Sequence, residues 1–476
     1  MKHGKMLLMV GLSAWSAGAI VGCSGDDSTS PAPTPGDAKG TLTAAITANR
    51  TLFKDTVYTV SGFVKVQSGA TLTIEPGTKV IGDTAVAGSS LWILRGAKIE
   101  AEGTASEPIV FTSARAEGNR KPGDWGGIII IGNGKINRTG ATINTEGPEP
   151  ENYAGGNNDN DNSGTLRYVR IEFAGFDISN GNGQELNSLS SYAVGRGTTY
   201  EYIQTMSGLD DSFEWWGGAV DGRYLVSYES GDDHFDWTEG YKGRNQFLIG
   251  LQTQRLVPAP GAGVFSSDPR GFEGDGCDPA VSGCTLTPTG ASTPYSMPVF
   301  ANFTLIGPGQ AVGVNDGNGA VLRRGTGGTF INGILARWKG IAINIRDDWS
   351  DSLFVASGGK DSLQITNTLL AQNGFNFDTV GAGFAQTTNW NPGRLATIKQ
   401  YAANVLVDTL VGLSLNPTSL DWTPKASSPA NTGGAAAPAA RVANYFGGGW
   451  QNTTYLGAAQ SNGAKWWLGW TAYNIN

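Results

Sequence analysis

The feature that most constrains the fold is an internal repeat of 22 residues near the middle of the chain. The segment YEYIQTMSGLDDSFEWWGG aligns with RYLVSYESGDDHFDWTEGY when the chain is shifted by 22 positions. Identical or chemically similar residues coincide at six positions, so that Asp210 falls on Asp232 and Trp215 falls on Trp237. A looser copy, LRYVRIEFAGFD, precedes both. A period of this length is typical of a stacked solenoid, in which each coil buries the apolar face of its neighbour.

The rest of the chain consists of short β-type runs and has few helix signals. Runs such as VYTVSGFVKV, SLWILRGAKIEAEG and WGGIIIIGNGKI follow one another, each bounded by turn-forming residues. The 70 glycines interrupt nearly every window in which a helical period could develop. Short strands at near-regular spacing indicate a sandwich, a barrel or a solenoid, and the internal repeat favours the solenoid.

Several motifs resemble those of a known class of solenoid. The segments VSGFVKVQSGATLTIEPGTKVIG, EAEGTASEPIVFTSA and GDWGGIIIIG resemble the opening rungs of right-handed parallel β-helix proteins. NSGTLRYVRIEFAG and the two DDxFE or DDxFD rungs before GYKGRNQF are similar to motifs of secreted and lipid-anchored bacterial β-helix proteins of uncertain function. The resemblance covers most of residues 50–345 and implies an all-β, right-handed parallel β-helix over residues 41–420. Lyases, hydrolases, esterases, adhesins and binding scaffolds share this fold, so the resemblance leaves the activity open.

The N-terminus predicts export. Residues 1–22 combine two early lysines with a short apolar run and are typical of a secretion signal, too short for a membrane span. The motif Ile-Val-Gly-Cys that ends at Cys23 resembles the lipobox of bacterial lipoproteins. This resemblance implies a lipid on Cys23, an anchor in a lipid bilayer and a cell-envelope location, in the outer membrane, facing the periplasm or the cell surface. An ordinary signal peptide with a chance cysteine is the alternative. Residues 23–40 predict a flexible tether.

The remaining cysteines and the C-terminus lead to two structural expectations. With Cys23 lipidated, Cys277 and Cys284 remain in a Gly/Pro/Asp-rich loop, and an oxidising compartment favours a disulfide between them. Residues 421–476 are rich in tryptophan and tyrosine and predict a cap folded over the last rung. A carbohydrate-binding appendage is the alternative for this segment.

Charge narrows the classes of partner. The chain carries 41 acidic and 33 basic residues, for a formal net charge of −8, and has no basic cluster. This balance argues against nucleic-acid binding. It favours cations, or neutral partners such as glycans.

The paired acidic rungs are the main candidate site. If Phe213 and Trp215 face the core, alternation turns Glu214 outward, and one rung on it also turns His234 and Asp236 outward. Carboxylates on rungs about 4.8 Å apart repel each other, so either one holds a proton or a cation lies between them. Calcium suits an oxygen-rich extracytoplasmic site. The predicted calcium ligands are Asp210, Asp211, Glu214, Asp232, Asp233 and Asp236.

The same rungs could carry catalysis or merely form turns. Asp211, Asp233, His234 and Asp236 are the catalytic candidates, because a glycoside hydrolase needs two carboxyl groups and a lyase needs calcium with a base. The DD pair before a histidine resembles pectin-hydrolysing β-helix enzymes, yet their Gly-His-Gly and Arg-Ile-Lys motifs do not follow it. Aspartate also favours turns simply by bonding the local backbone.

Further segments offer ligand contacts. The candidate ligand-binding residues are Trp216, Tyr241 and Lys242. GGNNDNDNSG resembles a small calcium loop or forms a flexible polar turn, and IRDDWSD is another acid-aromatic corner. The sequence therefore predicts a lipid-anchored β-helix that binds a glycan or another envelope ligand with calcium. A carbohydrate-active lyase or hydrolase, and a passive adhesin or scaffold, are the alternatives.

Overall fold

The described part of the chain begins after the predicted export signal. The computed structural model describes residues 40–179, 184–287, 290–309, 317–354, 362–378, 390, 392–402 and 420–474. The predicted signal over 1–22, the lipidation site Cys23 and the tether up to residue 39 lie outside these residues. Within them, no helix has the length and apolar character that crossing a membrane requires.

Strands dominate the described residues, and the helices α1 (Asp348–Phe354) and α2 (Pro392–Leu395) are short. The strands are β1 (Thr41–Leu42), β2 (Arg50–Leu52), β3 (Val57–Val60), β4 (Phe63–Val66), β5 (Thr71–Ile74), β6 (Lys79–Gly82), β7 (Ser90–Ile93), β8 (Lys98–Glu102), β9 (Ile109–Ser113), β10 (Gly127–Ile131), β11 (Gly164–Glu172), β12 (Phe176–Asp177), β13 (Glu185–Leu186), β14 (Leu189–Tyr192), β15 (Thr199–Met206), β16 (Phe213–Trp216), β17 (Asp221–Tyr228), β18 (Phe235–Thr238), β19 (Arg244–Leu251), β20 (Arg270–Asp275), β21 (Leu286–Thr287), β22 (Gly290–Ala291), β23 (Val299–Ile306), β24 (Asn318–Arg323), β25 (Gly328–Ala336), β26 (Ile341–Ile345), β27 (Leu363–Ala371), β28 (Phe375–Phe377) and β29 (Lys399–Tyr401).

Two parallel sheets take up successive strands of the solenoid. Sheet A follows the order β1-β3-β6-β9-β11-β15-β17-β19-β23-β25-β27-β29, and a side row β2-β5-β8 joins it at β11. Sheet B follows the order β4-β7-β10-β14-β16-β18-β20-β24-β26-β28. Strands that are distant in the sequence pair in parallel, as β15 does with β17 and β16 with β18. The structure confirms the solenoid that the repeat predicted and the all-β parallel β-helix that the resemblance implied.

The long strands of sheet A bend at a single residue with a positive φ. In β11, residues 165–167 pair with β8 and residues 169–171 pair with β9, so Tyr168, with a φ of 49°, forms the corner. Side chains other than glycine rarely adopt this conformation, and asparagine is among those that tolerate it best. Stacking of the aromatic rings accompanies it here, with centroids 4.3 Å apart between Tyr168 and Tyr202. The corner residues are Tyr168, Tyr202, Tyr224, Phe247, Asn302, Asn332 and Asn367.

Aromatic side chains fill the interior between the sheets. Phe213 stacks on Phe235 of the next rung, with ring centroids 5.3 Å apart, and both side chains are fully buried. Trp215 and Trp237 are also buried, as the strand alternation predicted. The 22-residue repeat therefore brings like side chains into contact on consecutive rungs.

The aromatic C-terminal segment, residues 420–474, was predicted as a cap over the last rung; it covers the outer face of sheet A and reaches the last described strand, β29, where Lys399 donates to the carbonyls of Pro429 and Thr432. Its buried Trp422 and Trp467 pack in one cluster with Val226 and Ile249 of sheet A. The reason is that sheet A turns apolar side chains outward along most of its length, and these side chains need a cover. The segment follows this apolar face from β27 to β11, where Arg170 donates a hydrogen bond to the carbonyl of Trp470.

Loops cover part of the outer face of sheet B. The outward residues Trp92, Ile129 and Ile131 are fully buried beneath loop residues that include Ile143 and Phe265. Elsewhere on the chain, Cys277 and Cys284 form the expected disulfide. The polar side chains on β16, β18 and β20 lie next to the apolar cover of sheet B, and they form the site described below.

Candidate functional site

Three carboxylates lie in register on the outer face of sheet B. Glu214 on β16 pairs with Asp236 on β18, which pairs with Glu273 on β20. We call these three residues the acidic ladder. The repeat predicted the first two, but Glu273 was missed because a long loop separates its strand from β18. The signal for it is the motif Phe272-Glu273, which repeats the pattern Phe235-Asp236.

The second aspartate of each DD pair ties neighbouring rungs together. Asp211 accepts a hydrogen bond of 2.8 Å from the backbone N–H of Asp233, and Asp233 accepts one of 2.6 Å from the backbone N–H of Arg270. Asn187 does the same one rung earlier, accepting a 3.0 Å bond from the N–H of Asp211. These side chains satisfy backbone donors at the corner, which is the structural turn role that the sequence left open.

The predicted calcium ligands do come together. Three overlapping groups of carboxylates each have ligand oxygens within 4.8 Å of one another. This spacing is too small for the water-filled gap between the two carboxyl groups of an inverting glycoside hydrolase. It suits a cation shared among oxygens. The outer triad is Asp210, Asp211 and Asp232; the middle triad is Asp211, Glu214 and Asp236; the inner triad is Asp233, Asp236 and Glu273.

The triads differ in how their charge is balanced. In the inner triad, Arg270 forms ion pairs of 3.2 Å with Asp233 and 2.5 Å with Glu273, and Arg323 lies 2.8 Å from Glu273. The middle triad has no ion pair with a basic side chain among the described residues. Glu214 accepts a 2.7 Å hydrogen bond from the Asn187 amide. Among the described residues, the middle triad therefore lacks the direct ion pairs that the inner triad has.

Asp236 belongs to two triads and has a free oxygen. The residue is only 9% exposed. Its Oδ1 atom is shielded from solvent and has no hydrogen-bond partner within the described chain. A buried carboxylate oxygen without a donor is costly, because its hydration is lost and not replaced. A cation between Asp236 and its neighbours would supply the missing partner.

Burial and mutual repulsion raise the pKa values of these acids. Burial raises the pKa of Asp236 well above its usual range, and the neighbouring Glu273 carboxylate adds to the effect. The same causes raise the pKa of Asp211 and Glu214, with Asp233 and Glu146 as the leading charged neighbours. Burial raises the pKa of Asp233 to about 7 and that of Glu273 to about 8. Near neutral pH these groups therefore either hold protons or need a cation.

His234 is inside the solenoid, and the prediction that it faces outward is wrong. The residue is 1% exposed, and its Nδ1 lies 2.5 Å from the hydroxyl of Ser227. It precedes β18 in a turn, so the alternation of the strand does not extend to it. Burial lowers its pKa to about 3, which keeps the ring neutral and removes it from the candidate catalytic residues.

The three candidate ligand-binding side chains do not share a surface. Tyr241 is a core residue, stacked 5.0 Å from Trp215, with its hydroxyl donating to the carbonyl of Val220. Trp216 faces outward from sheet B but is only 6% exposed, because it lies against Tyr192 under the loops. The predicted roles of Tyr241 and Trp216 as exposed contacts are therefore wrong.

Lys242 and the other two acidic segments have structural partners. Lys242 forms an ion pair of 2.7 Å with Asp159 of the GGNNDNDNSG loop. Asp161 of the same loop accepts a hydrogen bond from the backbone N–H of Asn133, which ties the loop to the end of β10. In IRDDWSD, Asp347 accepts a bond from the N–H of Ser350 and caps α1. These contacts favour the turn interpretation of both segments.

One basic residue near the site was not predicted. Arg346 follows β26, is partly buried and makes no ion pair among the described residues. Burial and the nearby Arg270 and Arg323 guanidinium groups lower its pKa. No sequence motif marks it, because its position depends on which strands stack.

The comparison with known families agrees with this architecture. The family model described as a pectate-lyase-like β-helix domain matches residues 44–409, which is most of the chain. No curated protein and no solved structure matches it. The match spans both sheets and the acidic ladder, and β-helix domains of this type are scaffolds related to carbohydrate recognition and chemistry. The chain therefore belongs to the family of pectate-lyase-like β-helix domains.

Proposed function

We propose that this protein is an envelope-located binding protein in which the middle triad holds one calcium ion that supports the binding of a glycan. The observation that carries the proposal is Asp236, a buried carboxylate with an unpaired oxygen at the point where two triads meet. The signal-like residues 1–22 and the lipobox-like motif at Cys23 support the envelope location.

The donor set favours calcium over other metals. Asp211, Glu214 and Asp236 offer only carboxylate oxygens, and in the part of the chain that the structure describes no cysteine or histidine joins the triad, since His234 is turned into the core. Hard oxygen donors suit calcium, whose extracellular sites commonly have dissociation constants of about 10⁻⁴ to 10⁻³ M. Calcium takes six to eight oxygens, so about half of its positions would be left for water or for the hydroxyl groups of a glycan.

Thermal unfolding with and without calcium tests this proposal. Removing calcium with EDTA is expected to lower the melting temperature at pH 7.5, and added calcium is expected to restore it, because an ion bound only to the folded state stabilises it. Asp236→Asn should abolish the response. Asp55→Asn, at an exposed position on the first rung, is the matched control and should retain it. An unchanged melting temperature in EDTA and calcium would remove the cation from the account.

Glycan binding is tested separately on a panel of polysaccharides. Retention on the panel should be stronger in calcium than in EDTA for the wild-type chain and for Asp55→Asn. For Asp236→Asn, retention should be weak in both conditions. Binding that is strong and identical with and without calcium would show that the ion has no part in ligand recognition.

A polysaccharide lyase is the second candidate, and Arg346 favours it. A lyase needs a base that removes the proton beside a uronate carboxylate, and an arginine whose pKa is lowered by burial is a suitable group. The test is the release of unsaturated uronides, which Arg346→Gln should abolish while the melting temperature is retained. Asp233→Ala is not a clean test of catalysis, because Asp233 also bonds the Arg270 backbone. No product from any acidic polysaccharide would leave binding as the function.

A further inference from the structure

A pocket of about 460 Å³ lies at the corner that precedes β18, beside the outer triad. Four carboxylates contribute to its lining, those of Asp177, Glu185, Asp210 and Asp232. Leu209 and Phe265 provide an apolar wall, and two serines of the loop before β20 add hydroxyl groups. The volume is within the range of sites that bind small molecules, about 300 to 1,000 Å³.

The charge of this pocket is one-sided. No lysine, arginine or histidine is among its lining residues in the described chain. Two guanidinium groups lie near this lining: that of Arg270 is bound to Asp233, Asp268 and Glu273, and that of Arg255 donates to the carbonyl of Phe265. A negatively charged ligand would therefore meet repulsion without a compensating contact.

Asp232 supplies a specific unmet hydrogen-bond acceptor. Its Oδ1 atom is shielded from solvent and has no hydrogen-bond partner within the described residues, and the carboxylate is otherwise hydrogen-bonded to Ser266. Oxygens of Asp210, Asp211 and Asp232 lie within 4.8 Å of one another, so a single positively charged donor could contact all three. Charge-assisted hydrogen bonds of this kind are the strong ones in proteins.

We propose that this pocket binds the free amine of an amino sugar. The ammonium group would bond Asp232 and Asp210, the apolar face of the ring would contact Phe265, and the Ser267 hydroxyl would bond a ring hydroxyl. The proposal deepens the proposed function by naming the class of glycan, and it rests on that function for the sugar frame. It predicts that amino sugars bind to the pocket more tightly than uronic acids.

Calorimetric titration with three oligosaccharides tests the proposal. The probes are a glucosamine oligosaccharide with free amines, its N-acetylated form and a galacturonate oligosaccharide of equal length, each in EDTA buffer at pH 6.5. The free-amine form is expected to bind about tenfold or more tightly than the N-acetylated form, as one charge-assisted hydrogen bond would give. The galacturonate is expected to bind most weakly. Equal affinity for the amine and the N-acetyl form, tighter binding of galacturonate, or no binding of any probe would overturn the proposal.

Two variants make the test specific to the pocket. Asp232→Asn should reduce the affinity for the free-amine probe about tenfold, and the exposed Asp55→Asn should leave it unchanged. An unaltered melting temperature in EDTA verifies that Asp232→Asn is folded. If Asp232→Asn binds like the wild type, the pocket assignment is wrong. If neutral glycans bind in a calcium-dependent way but the amine is not preferred, this inference alone is wrong. If the amine is preferred but glycan binding does not depend on calcium, the calcium site alone is wrong.

Discussion

The outer faces of the two sheets differ in how their buried polar side chains find hydrogen-bond partners. On sheet A, outward polar side chains bond to the C-terminal segment: Gln246 donates to the carbonyl of Gln451, Asn332 to that of Ala435 and Arg170 to that of Trp470. On sheet B, the outward polar residues include the carboxylates of the acidic ladder, and Asp236 has an oxygen without a donor among the described residues. Buried polar groups in proteins are normally satisfied within the chain. Sheet A therefore carries a structural interface, and the unpaired oxygen on sheet B supports the cation site proposed there.

The same contrast is found within each DD pair. The second aspartate, Asp211 or Asp233, is engaged with the backbone of the next rung. The first aspartate, Asp210 or Asp232, faces the pocket. One repeated motif thus supplies both a structural bond and an acid that lines the pocket, and substitutions can separate the two roles.

The largest expected effect comes from uncovering sheet A. Trp467 is fully buried, so Trp467→Ala should lower the free energy of unfolding by about 3 to 5 kcal/mol, the usual cost of removing a core aromatic residue. Its neighbour Leu468 is 58% exposed, and Leu468→Ala is the matched control, with an expected change within about 0.5 kcal/mol. Urea unfolding measures both. Equal effects would show that the C-terminal segment is not part of the fold.

A somewhat smaller effect should separate the structural from the unpaired acids. Asp233→Ala removes the bond to the Arg270 backbone and an ion pair with its side chain, and should cost about 3 kcal/mol. Asp236→Ala removes no hydrogen bond and no ion pair within the described chain, so in EDTA it should cost about 1 kcal/mol or less. If Asp236→Ala is as damaging as Asp233→Ala in urea unfolding, the distinction between the two acids fails.

The dependence of stability on pH should be smaller still, and its sign is specific. Asp233 has a folded pKa of about 7 and an ordinary value of 3.8, so the folded state holds more protons than the unfolded state between these values. Stability contributed by such acids therefore falls as pH rises toward 8. His234 acts in the opposite direction only below its ordinary value of 6.5, because its folded pKa is about 3.

Between pH 6.5 and pH 8, the change of stability with pH therefore reports the buried acids and not His234. In EDTA, the free energy of unfolding should fall by about 2 kcal/mol across this window, because Asp233 and Glu273 both lose protons within it, and calcium should reduce the slope. Chemical denaturation at several pH values measures it. A stability that rises with pH in EDTA would show that the ladder carboxylates are not stabilised as neutral acids.

The sequence allowed prediction of the parts of this molecule that follow the strict 22-residue repeat. The repeat places Phe235 on Phe213, and the alternation of side chains in a strand then places Asp236 beside Glu214 on the outer face. Glu273 was not predicted because a long loop precedes β20, and this loop breaks the 22-residue spacing of the repeat. His234 was predicted on the wrong face because the alternation of side chains in a strand does not continue through a turn. Arg346 was not predicted because it lies beyond the 22-residue repeat, where the sequence does not show which strands stack.

Calorimetric titration of calcium into the wild-type chain, Asp236→Asn and Asp55→Asn at pH 7.5 tests the central claim most directly. The wild type and Asp55→Asn should bind one ion per chain with a dissociation constant of about 10⁻⁴ to 10⁻³ M. Asp236→Asn should show no binding in this range. Equal binding by Asp236→Asn and the wild type, or no binding by any of the three, would contradict the assignment of a cation site to the acidic ladder.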